Sequence, residues 1–76
     1  MKWADLFNYV SHKVFPPHLK HGNFICYHNH KFTEIFCDMH GLNFETIKQR
    51  LEDTGGFCDC EVIFNSSYHI PHDEEI

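Results

Sequence analysis

Two short cysteine pairs carry the chemistry that this sequence offers: Cys26-x-His28, and Cys58-x-Cys60 within the stretch GGFCDCEVIF, Gly55 to Phe64. Thiolate and imidazole are the ligands zinc prefers, and a structural site needs four of them in a tetrahedron. The two pairs, 29 residues apart, supply a complete Cys3His set. His30 lies two residues beyond His28 and competes for the fourth position. The competing reading takes the cysteines as small buried hydrophobes, since free cysteine is among the most buried residue types. Cys37, beside Phe36 in a helical pattern, fits that role better than a ligand's.

No other constellation does chemistry. There is no phosphate-cradling glycine loop and no H-E-x-x-H run. A zinc hydrolase would need an open coordination position and a nearby base. Glu61 is the residue to cast as that base, but in an extended chain it and Asp59 fall on the face opposite the two thiols. The sequence is therefore read as a non-enzyme, with Asp59 and Glu61 as solvated strand residues.

The elements that must position these residues follow from apolar spacing. Trp3, Leu6, Phe7, Val10 and Val14 trace a helical stripe that Pro16 and Pro17 end, and a connecting loop runs from there to Gly22. Phe24 to Tyr27 reads as a short extended piece. Asn29 then caps a second helix whose stripe is Phe32, Ile35, Phe36 and Met39, with Gly41 at its left-handed end. Asn43 caps a third helix that directs Phe44, Ile47 and Leu51 inward, and Gly55-Gly56 stops it. After that turn Cys58, Cys60, Val62 and Phe64 alternate as one face of a strand. The expected fold is thus α+β: a small, helix-rich, zinc-stapled domain of about three helices plus a short C-terminal strand or hairpin. Residues 1–66 form its single zinc-binding domain, and 67–76 a loosely packed, polar, acidic tail.

Composition excludes several function classes. At 76 residues only one core fits, and a chain this short often needs a metal, disulfides or an oligomer partner to stabilise it. Six basic against eleven acidic residues, with no basic cluster, argue against binding nucleic acid. No apolar run suits a membrane span or a signal peptide, so the expected compartment is the reducing cytoplasm, where disulfides rarely persist.

The stretch from Cys26 to Asn65 resembles the small uncharacterised bacterial proteins of the DUF2695 family. It carries Cys26-x-His28, Thr33, the His40-Gly41-Leu42 turn and above all GGFCDCEVIFN. The family pattern is C-x-H-T-L-R-x-T, a helix pair, then G-G-[YF]-C-D-C-E-V-L-x-N. The resemblance implies that Cys26, His28, Cys58 and Cys60 act together on zinc. The chain departs from the pattern where His30 replaces an apolar residue and Lys31 an arginine, which leaves the choice between His28 and His30 open. The family supplies no substrate. The expected role is a metal-binding module, monomer or homodimer, acting through a protein partner as an adaptor, inhibitor or immunity-type protein.

Overall fold

A computed structural model describes residues 1–17 and 24–76. The expected loop to Gly22 lies outside the described residues beyond Pro17. Among the described residues four helices follow in order: α1 (Trp3–Val14), α2 (Lys31–His40), α3 (Phe44–Asp53) and α4 (Asp59–Phe64), with a 3-10 turn at Ser66–Tyr68. α1 packs on α2 and α4, and α2 on α3 and α4.

Three helices sit where apolar spacing places them. α1 buries Trp3, Leu6, Phe7, Val10 and Val14, its whole predicted stripe. The Asn43 side chain accepts the Thr46 N–H at the start of α3, satisfying one of the amides a helix N-terminus leaves unpaired. Gly41 ends α2 at φ 66, a conformation that costs a residue with a Cβ. Within α2 the buried face is rotated from the expected one. Thr33, Phe36 and Cys37 point inward, whereas Ile35 and Met39 are exposed. α2 also begins after His30, and Asn29 caps only the Lys31 N–H.

The expected α+β architecture is not what forms: no strand occurs among the described residues, and the Asp59–Phe64 segment is helical. Cys58 is the extended residue that opens α4, at φ −152 and ψ 171, and the Val62 N–H bonds back to its carbonyl. Cys58, Asp59, Val62 and Ser66 are buried, at helical intervals, while Phe64, assigned to the inner face of a strand, is 52% exposed. The alternation was ambiguous because Cys58 and Val62, four residues apart, share a face in either geometry. A lone strand leaves its backbone groups unpaired; a helix turn pairs them internally, and Asp59 and Glu61 suit its first turn.

The acidic C-terminal segment is not loosely packed. Ile70 enters the core, and the carbonyls of His72 and Glu74 accept the Ala4 and Trp3 N–H groups at the open start of α1. No helix among the described residues is long and apolar enough to cross a membrane.

Candidate metal centre

The site forms where the segment entering α2 meets the start of α4. Cys26, Cys58 and Cys60 bring their sulfurs within 4.8 Å of one another, with Cys58 Sγ and Cys60 Sγ 3.2 Å apart. All three thiols are free. Zinc–sulfur bonds of about 2.3 Å at tetrahedral angles put sulfurs roughly 3.8 Å apart. The observed trio brackets that edge, so small side-chain adjustments suffice for it to hold an ion.

The three thiols do not sit in equivalent surroundings. Burial works to raise Cys26, but the polarity of the Cys60 and His28 backbone N–H groups, with smaller help from the neighbouring thiols, brings it below the ordinary thiol value. Burial pushes Cys58 up, offset in part by the Glu61 N–H. Burial, reinforced by the neighbouring sulfurs, takes Cys60 up to about 12. N–H donation favours thiolate, the form that ligates a metal. Cys37 lies elsewhere in the core and is raised to about 11 by burial and then by Asp38 and Glu34.

The two histidines separate clearly. His28 is exposed, lies outside the group of three converging ligands, and adopts φ 60, rare without glycine. His30 is 7% exposed, and its Nε2 lies 2.7 Å from the Gly56 carbonyl oxygen, which can only accept. Nε2 therefore carries the proton and is committed to that bond. His30 holds the glycine turn against the start of α2, so that nitrogen is not free for a metal.

Asp59 and Glu61 occupy places that strand alternation did not foresee. Asp59 is 0% exposed: Oδ2 accepts the Phe32 N–H at 2.7 Å, and Oδ1 accepts the Thr33 N–H at 3.2 Å and the Thr33 hydroxyl at 2.8 Å. The Asp59 N–H donates to the Asn29 carbonyl. Glu61, three residues after Cys58 on a helix, has Oε1 3.7 Å from the Cys58 sulfur. The signal that could have found both was Asp59 and Glu61 directly after an extended Cys58, an acidic first turn of a helix.

The fold and the site together define a small helix-rich domain, without strands among the described residues, with a three-cysteine group able to hold a metal ion. The chain belongs to the family described as a protein of unknown function, DUF2695, which matches residues 6–65 and so covers most of α1 and the three clustered cysteines. The uncharacterised proteins Mb2294 of Mycobacterium bovis and Rv2271 of Mycobacterium tuberculosis are each 28% identical over 61 residues, 80% of this chain and 54% of theirs. The chain thus spans about half the length of the curated relatives it matches. No solved structure matches it.

Proposed function

We propose that Cys26, Cys58 and Cys60, completed by His28, hold a structural zinc ion in a cytoplasmic protein that acts through a protein partner and not as an enzyme. The observation that carries this reading is the convergence of three sulfurs from two distant segments within 4.8 Å. An all-thiolate trio favours soft or borderline ions over magnesium or calcium, and with an imidazole it is a zinc set. His28 is two residues from Cys26, the same spacing that joins Cys58 to Cys60, which is what recommends it as the fourth ligand. The ion would tie the entry of α2 to the start of α4 and add folding energy to a small core. Phe57 and Tyr68, 59% and 81% exposed, are apolar side chains suited to a partner contact.

The test is elemental analysis of untagged protein with a thiol count and melting curves. One zinc per chain is expected, with a lower melting temperature after chelation and loss of both metal and stability in Cys58→Ala. Unchanged melting on chelation would sink the structural role.

A second reading, a zinc-dependent hydrolase with Glu61 as general base, gains from the helix that turns this carboxylate toward Cys58. It requires an open coordination position. Glu61→Ala would then keep fold and metal while losing a turnover, and X-ray absorption showing four protein ligands rules it out.

A further inference from the structure

Between the two thiols of the C-x-C pair lies a carboxylate with no place in the coordination sphere. Asp59 is wholly buried, yet its three accepted hydrogen bonds all come from the first turn of α2. Phe32 and Thr33 are the second and third residues of that helix, whose amides are ordinarily capped by the helix's own N-cap residue. Here the N-cap residue is His30, which makes no such side-chain bond. The cap is supplied instead from α4, by the residue that separates two candidate ligands.

Other contacts run the same way. The Asp59 N–H donates to the Asn29 carbonyl, His30 Nε2 donates to the Gly56 carbonyl, and the Cys26 sulfur lies within 4.8 Å of those of Cys58 and Cys60. Moving the C-x-C pair away from Cys26 would therefore break the cap of α2. Freeing that cap would in turn release the backbone that fixes Cys58 and Cys60.

We propose that Asp59 is a positioning residue coupling metal occupancy at Cys26, Cys58 and Cys60 to the order of the first turn of α2. The inference rests on the reading that these thiols bind a metal. Coupling of this kind is reciprocal: if the ion tightens the α2 cap, loosening the cap weakens the ion by the same factor. Groups that orient ligands from outside the coordination sphere change metal affinity by about 10- to 100-fold when removed.

The test uses the full chain, cobalt(II) as a spectroscopic probe and zinc for hydrogen exchange. Thr33→Val removes one bond to Asp59 without touching the C-x-C pair, and Asp59→Asn alters the carboxylate itself. Asn43→Ala removes the cap of α3, a bond that involves neither Asp59 nor a thiol, and serves as the control. Cobalt binding, followed by its thiolate charge-transfer absorption, is expected to weaken in Thr33→Val and in Asp59→Asn, by roughly 10- to 100-fold in the latter, and to stay unchanged in Asn43→Ala. In the unaltered chain, zinc should slow exchange of the Phe32 and Thr33 amides more than that of Thr46, the amide capped by Asn43 at the start of α3. This comparison still decides the matter if Asp59→Asn does not fold. Equal protection at both helix starts, or equal weakening by Thr33→Val and Asn43→Ala, overturns the coupling alone. An unaltered chain that binds no cobalt overturns the metal reading and this inference with it.

Discussion

Cys60 and Cys26 lie in one cluster, yet their surroundings drive them in opposite directions. Burial raises Cys60 from 9.0 to about 12, whereas N–H donors bring Cys26 below 9.0 despite burial. Between pH about 9 and about 12 the unfolded chain loses the Cys60 proton while the folded metal-free chain keeps it, so stability falls as pH rises through that window. Cys37, raised to about 11, adds a slope of the same sign. Urea midpoints of metal-free protein across this range should show the decline, and Cys60→Ser should flatten part of it. In zinc-loaded protein the cluster is already ionised and its contribution should vanish. The cysteines themselves were legible because ligand chemistry depends on residue type and short spacing. Asp59 was not, since nothing in C-D-C reveals that a carboxylate will meet amides 26 and 27 residues away in the chain.

At the scale of elements, α1 and α3 were legible because each combines a full apolar stripe with a clear start or stop. α2 and α4 were less so. In α2 the stripe Phe32, Ile35, Phe36, Met39 shares only Phe36 with the fully buried set, because Thr33 is drawn inward by Asp59 and Cys37 packs in the core. Chemical denaturation separates the two faces. Phe36→Ala should cost about 3–5 kcal/mol, whereas Met39→Ser, at a site 56% exposed, should change stability by no more than about 0.5 kcal/mol. Comparable losses at both positions would mean that α2 docks on its predicted face. α4 went unread because six residues are too few for periodicity to distinguish a helix from a strand, and the available backbone partners decided it. Gly56, before it, leaves no room for a Cβ against the Ser66 hydroxyl and Val62, which brings the glycine turn hard against α4.

The whole molecule closes its two ends on each other. Besides the two carbonyls that cap α1, the Met1 ammonium meets Glu75 at 2.9 Å, Arg50 meets Glu74 at 3.2 Å, and the Ile76 N–H donates to the Met1 carbonyl. Exposed ion pairs contribute little, so the tail should be held chiefly by Ile70 and by the amides of α1. Ile70→Ala should cost about 2–5 kcal/mol in urea denaturation, while Glu75→Gln should leave the midpoint nearly unchanged. If Ile70→Ala is neutral, the tail is an ornament of the fold and the acidic composition was the better guide. That composition pointed to a solvated segment, and two isoleucines, Ile70 and Ile76, set among polar residues gave no periodic signal of docking.

By itself the sequence determined the local chemistry: where helices start and stop around Gly41, Asn43 and Gly55, and which side chains can serve as soft ligands. Those properties depend on residue types a few positions apart, and they survive whatever the rest of the chain does. Tertiary structure decided what depends on partners distant in the chain. It made Asp59 to Phe64 a helix and buried Asp59 under α2. It also tied His30 to Gly56 and brought Cys26 to the C-x-C pair. Each of those outcomes is the pairing of a polar group that burial would otherwise leave unsatisfied, and that demand arises only once the helices are packed together.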